Sequence, residues 1–460
     1  MGSLAQSQRR STRRRFLQGA GALGTSALLP AIVRGRAAAQ TPPTFDREAS
    51  ITSWGFGAEE TNPMAFTRIN AFREAYPSIE LELVPEFDDQ KLLTGFAAKQ
   101  LPDLLWMDRF RIASWAARGV LQPLDDLIAA SGIDLESYYP AALDEVTYEG
   151  KIYGIPQFMD VRGLYVSLDA LGEIGQDIEQ LDTSDWDQLA RLGAELLRRD
   201  GDRAERWGFD HKLQAGHIYL WSQGNGGTLL SEDAQEATFA DPKAVEALAW
   251  GVDAYKRQGG FKLYEGFATT WQGDEQFARG QVAMTVYESW MLGIVARVAP
   301  DLNFRVLPIK ARGGDQLVSY SGGPAWCIPN GANDPEAAWV FIEFMNRLDT
   351  WRTGAAGVKE FQVSEGRPYI PSLTAHKEAD QMQIEEFYEP IAPQLDEAVQ
   401  LWPRILEQSF IRPVSKSPIG AQLHDILQQE GVMPALREEK SPEDAMADAT
   451  QSAQDAIDSQ

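Results

Sequence analysis

Along most of this chain, short apolar runs alternate with stripes of helical period. Ile51-Thr52-Ser53-Trp54 reads as a strand, Pro63 opens a helix in which Ile69, Phe72 and Tyr76 recur on one face, and Pro77 closes it. Ile79, Leu81 and Leu83 then alternate with polar residues, which predicts a second strand. Leu104-Leu105-Trp106-Met107 is apolar throughout, as suits a strand buried on both faces. This order predicts a parallel α/β layer. Asp108 and Arg109 fall just past the carboxyl end of the last of these strands, the place where open α/β sheets bind ligands.

Further along, Tyr148-Glu149-Gly150-Lys151 predicts a tight hairpin with Gly150 at positive φ. Four helices announce their starts. Ser184-Asp185-Trp186-Asp187 precedes Leu189, Leu192 and Leu196; Asp241-Pro242 precedes Val245, Leu248 and Val252. Asp334-Pro335 precedes Ala338, Phe341, Ile342 and Met345, and Ser441-Pro442-Glu443 precedes Met446, Ala449, Ala453 and Ile457. Trp250 and Trp339 lie inside such stripes and are expected in cores. At 460 residues the chain exceeds what one core supports, so two domains are expected.

The first residues change the picture of where the protein works. Thr12-Arg13-Arg14-Arg15-Phe16-Leu17 matches a twin-arginine export signal, a weakly apolar run follows over 19–33, and Ala37-Ala38-Ala39 suits cleavage. Residues 1–39 are therefore expected to be a signal peptide recognised by the twin-arginine translocon. Gly19-Ala20-Gly21-Ala22-Leu23-Gly24 spells a dinucleotide fingerprint but has no strand before it. Cys327 is the only cysteine, which excludes an intramolecular disulfide and leaves no lipid-accepting thiol at the signal junction. A periplasmic or extracellular protein that is not a lipoprotein is the expectation. Loss of the signal's seven arginines moves the formal charge from -25 to -32, a surface that repels nucleic acid and anionic lipid.

Thirteen tryptophans suit sugar recognition, because a flat aromatic face packs on the C–H side of a pyranose while carboxylates and arginines take its hydroxyls. Three segments bring such residues together: 102–110 with Asp108-Arg109-Phe110, then Tyr153-Gly154-Ile155-Pro156 leading to Asp160 and Tyr165, then 277–290 ending in Tyr287-Glu288-Ser289-Trp290. Their order resembles the carbohydrate-binding proteins of ABC importers, the extracellular solute-binding family that includes the maltose-binding protein.

The resemblance implies an α/β fold of the two-lobe periplasmic-binding-protein kind, type II-like, with discontinuous lobes around a hinge. Residues 45–158 plus 318–368 would form the first lobe, and 159–317 plus 369–460 the second. It implies ligand contacts from Asp108 and Arg109, although their spacing from Trp106 is one residue short of the family pattern; a solvated ion pair is the alternative. Asp160 with Arg162 would be a ligand carboxylate and its neighbour, or a surface salt bridge. In 277–290 a helix would deliver a strand whose closing turn offers Trp290 for stacking, with Tyr287 and Glu288 as polar neighbours. His217 and Trp221 would add to the second lobe, Trp402 would make a late aromatic contact, and Gly322 would bring backbone close to ligand or serve as a turn glycine.

Enzymatic signals are weak. His211, His217, His376 and His424 show no metal-ligand spacing, and neither a Gly-x-Ser-x-Gly elbow nor a Walker loop occurs. No catalytic, metal or cofactor site is expected. The expected ligand is a neutral sugar or oligosaccharide, delivered by a monomer to the transmembrane subunits of an ABC permease. A polyol, a glycerol-phosphate ester or a polyamine is the alternative ligand. From another class, a secreted glycoside hydrolase would use Asp108 with Asp160 or Glu288 as its pair of carboxylates.

Overall fold

A computed structural model describes residues 44–271 and 273–460; the expected signal segment 1–39 lies outside them. Two five-stranded sheets organise the chain. In the first, the order is Ile79–Val84, Ala49–Trp54, Leu104–Asp108, Pro324–Cys327 and Ile155–Pro156. Ala49–Trp54 is parallel to both neighbours, and Pro324–Cys327 returns antiparallel with Pro324 opposite Asp108. In the second, the order is Phe304–Leu307, Arg162–Ser167, Val282–Glu288, Arg203–Asp210 and Arg198–Asp200. Glu288 lies opposite Arg162 across an antiparallel pair. The α/β class and the parallel layer thus follow the alternation of apolar runs and helical stripes.

The helix starts hold for a common reason. A side chain placed just before a proline accepts the otherwise unpaired N–H groups of the first turn, while proline at N1 has none to lose; each cap contributes roughly 1 kcal/mol. Asn62 does this for Pro63–Ala75, Asp241 for Pro242–Arg257, Asp334 for Pro335–Asn346 and Ser441 for Pro442–Asp458. The stripes face inward: Ile69, Phe72, Phe341 and Ile342 are wholly buried, with the Phe72 and Phe341 rings 5.0 Å apart edge to face. The 148–151 hairpin forms with Gly150 at φ +74°. Ahead of Val282–Glu288 the chain differs from expectation. It makes a single 3-10 turn, Gly273–Glu275, in place of a helix, and runs through Gly280 before entering the strand.

Chain passages between the sheets lie side by side. Asp160 pairs with Gly322, Gln157 N–H donates to the Pro324 carbonyl at 3.0 Å, and Arg162 N–H donates to Ser319 Oγ at 2.7 Å. A third passage joins them where Phe158 pairs with Thr374. On either side of it, Tyr369, Ala379 and Met382 pack with Met64 and Trp351 of the first sheet's helices.

Asp380, in this third passage, is a buried carboxyl that accepts hydrogen bonds from Thr374 N–H at 2.7 Å and Tyr139 O–H at 3.1 Å. No described cation is paired with it, and burial pushes it up to about 8. A raised pKa in the folded state means that its contribution to stability is complete below the unfolded value near 3.8 and is lost as pH rises through about 8. Asp380→Asn is therefore expected to melt near wild type at pH 4 and increasingly above it towards pH 9. A difference in Tm that stays flat across that range would show the carboxyl to be ionised in the fold.

Candidate functional site

The strands Ala49–Trp54 and Leu104–Asp108 end at a cavity of about 340 Å³, within the usual size of small-ligand pockets. Phe56, Trp106 and Phe158 wall it, and Asn62, Met64 and Arg68 from the start of Pro63–Ala75 line another side. The Phe56 and Trp106 centroids lie 4.9 Å apart, and Trp106 meets Phe158 edge to face at 6.1 Å. Aromatic faces with polar groups between them are the composition sugar sites require.

Past Trp106 the two expected residues part company. Asp108 is half exposed, holds the Phe110 N–H at 2.9 Å and accepts a hydrogen bond from Arg412 at 3.1 Å. Arg109 points inward instead. It is wholly buried, donating Nε to Glu145 at 3.1 Å and Nη1 to the Phe158 carbonyl at 2.7 Å. Glu145 also faces Arg412 at 3.6 Å; burial pushes its carboxyl up while the two arginines pull it down. Arg109 thus fixes the strand ends and the first passage, and its guanidinium is held inside the protein.

Asp160, Arg162, Glu288 and Gly322 do come together. Arg162 donates to Asp160 at 2.6 Å, to the Tyr320 carbonyl at 3.0 Å and to Glu288 at 3.0 Å, and lies 3.8 Å from the Tyr320 ring centroid. Burial opposes its charge, but Asp160, Tyr320 and Glu288 outweigh burial and raise its pKa. A Cβ at Gly322 would sit 3.2 Å from Asp160 Oδ1, so the backbone here leaves room for that carboxylate. His217 is buried, with Nδ1 3.3 Å from the Tyr320 hydroxyl; burial drives its pKa well down, so it is neutral.

At the end of Val282–Glu288, Trp290 is 45% exposed and stands edge to face with Tyr287 at 5.3 Å. Tyr287 is itself buried, donating its hydroxyl to Asp274 beneath Lys212, whose Nζ is 4.1 Å from the ring. Trp221 and Trp402 are both buried, and neither lines the 340 Å³ cavity. Trp221 is buried among Trp186 and Trp250 and donates Nε1 to the His211 carbonyl. Trp402 packs under Gly163, where a Cβ would lie 2.8 Å from its ring. Both sit on helices, Ile218–Gly224 and Pro393–Leu406, whose inward face they fill.

Sequence reading missed Glu145, Arg412, Tyr320 and Arg68. For Arg68 a signal exists: it falls among Ala65, Ile69 and Phe72 on the buried face of its helix, where a charge is costly. Among the described residues no group of side chains could hold a metal ion, and no helix is long and apolar enough to cross a membrane.

Residues 67–383 match the model of the bacterial extracellular solute-binding proteins, more than half of the chain. The chain belongs to this family. Among curated relatives of this solute-binding protein, a lactose-binding protein of Rhizobium radiobacter is 24% identical over 56% of the chain and 60% of its own length. A mannitol-binding protein of Pseudomonas aeruginosa is 26% identical over 66% and 69%. Solved structures agree in fold. An ABC substrate-binding protein of Listeria monocytogenes in complex with cycloalternan superposes with TM-score 0.71 at 19% identity, covering 89% of this chain and 99% of that one. A solute-binding protein of Thermotoga lettingae bound to tagatose gives 0.68 at 20%, covering 89% and 100%. The two sheets are accordingly the two lobes of the family fold.

Proposed function

We propose that this solute-binding protein is the substrate-binding component of an ABC importer, capturing a sugar or oligosaccharide between its lobes and delivering it to the membrane permease by hinge closure. The observation that carries the reading is the aromatic-walled cavity at the carboxyl ends of parallel strands in a chain of this family. The relatives named for lactose and mannitol support the ligand class. Trp290 supports an opposing contact, since a large indole left exposed at a strand end is available to a pyranose face.

The protein acts as a binder without turnover: Asp160 and Glu288 both hold Arg162 and neither is placed as a proton donor to a substrate. It leaves the cytoplasm through the twin-arginine translocon, carries no lipid anchor and works as a monomer. The lobes divide as 45–158 plus 318–368 and 159–317 plus 369–460, with one change. The stretch through Met382 goes with the first lobe, because it packs on Met64 and Trp351.

A thermal-shift screen against mono- and oligosaccharides tests the reading, since a ligand at about 100 times its Kd adds roughly 2.7 kcal/mol. Trp290→Ala is expected to weaken the best sugar by at least about 1 kcal/mol with the fold retained. Unchanged affinity in the folded variant would remove Trp290 from the site. Reproducible cleavage of a bound oligosaccharide would make the protein a hydrolase.

A further inference from the structure

Three arginines are buried among the described residues: Arg68, Arg109 and Arg162. Arg109 has Glu145 at 3.1 Å, and Arg162 has Asp160 at 2.6 Å and Glu288 at 3.0 Å. Arg68 has no carboxylate within ion-pair distance among the described residues. Its guanidinium lies 3.7 Å from the Trp351 ring centroid, and Nη2 donates to Gln157 at 2.9 Å and to the Met345 carbonyl. Nε is buried with no partner. Burial without a counter-charge pulls this arginine down to about 9.

This unpaired cation lines the 340 Å³ cavity, together with the first turn of Pro63–Ala75, a 13-residue helix whose amino end carries partial positive charge. Among the described residues no acidic side chain lines the cavity, in a chain whose formal charge is -25. We infer that the cavity takes an anionic group on the sugar, and that the group is a carboxylate, as on a uronic acid ring. A carboxylate supplies the single negative charge that Arg68 lacks, with one oxygen for the guanidinium and one for the Asn62 amide. A phosphate brings close to two charges past Phe56, Trp106 and Phe158, and the desolvation of the second has no cation to offset it.

The inference rests on the sugar-capture reading and assigns the charge of one ring. Calorimetry on the full mature protein with glucuronate, galacturonate and digalacturonate, beside glucose, galactose, galactobiose and glucose 6-phosphate, tests it. The expected result is at least tenfold tighter binding of a uronate than of its neutral counterpart, with the ratio falling as salt is raised from 50 to 500 mM. In Arg68→Met the ratio is expected to drop towards one, and because it is a ratio, a general weakening of the variant cancels. Should that variant fail to fold, the salt dependence of the wild-type ratio carries the test. Neutral sugars bound as tightly as uronates overturn the anionic group and leave sugar capture standing. Glucose 6-phosphate bound tightest overturns the carboxylate. No binding by any sugar overturns both readings.

Discussion

Glu145→Ala is expected to lower the free energy of unfolding by about 3–5 kcal/mol, the cost of breaking a buried ion pair from one side. Both side chains of the Arg109–Glu145 pair are 0% exposed, so the deleted carboxylate leaves a guanidinium in the interior with carbonyls alone for company. Urea denaturation followed by circular dichroism measures the loss. Replacing both partners by apolar residues of similar volume, Arg109→Met with Glu145→Leu, is expected to recover most of it, since no charge then remains unpaired. A loss below about 1 kcal/mol in the single variant would mean that water reaches the pair as it reaches an exposed one.

Gly323→Ala is the second large effect. Gly323 has φ +134°, a region closed to residues with a Cβ, and an added Cβ would stand 2.1 Å from the Phe158 carbonyl oxygen and 3.0 Å from Arg109 Nη1. Backbone strain of about 1–3 kcal/mol adds to a similar overpacking cost, roughly 2–6 kcal/mol in all. The neighbouring Gly322→Ala is the control. Its Cβ meets side-chain tips alone, Asp160 Oδ1 at 3.2 Å and Arg162 Nη1 at 3.8 Å, so its stability is expected to fall much less while ligand affinity responds. Equal losses of stability in the two variants would refute the steric account of Gly323.

Much of the scaffold was legible because its signals are local. Asp334-Pro335 or Ser441-Pro442 states a helix start within a few residues, and Ile79-Glu80-Leu81-Glu82-Leu83 states a strand with one buried face. The site was legible only in part because its partners are remote in the chain. Arg109 meets Glu145 36 positions away, and Asp108 meets Arg412 304 positions away, separations over which no periodicity carries information. The burial of Trp402 was legible for another reason. Trp402 continues the stripe of Leu395, Ala398 and Val399, and that spacing reports a core face more faithfully than a resemblance reports a sugar contact.

The joined passages between the sheets also have a mechanical consequence. Asp160 pairs with Gly322, Gln157 with Pro324, and Phe158 with Thr374, so the links are bonded edge to edge into one narrow ribbon. A ribbon of this kind flexes across its thin direction with little disturbance to its hydrogen bonds, whereas sliding one strand along another breaks them. Bending across the ribbon is thereby the movement these hydrogen bonds leave soft, and sliding of one half along the other is the movement they resist.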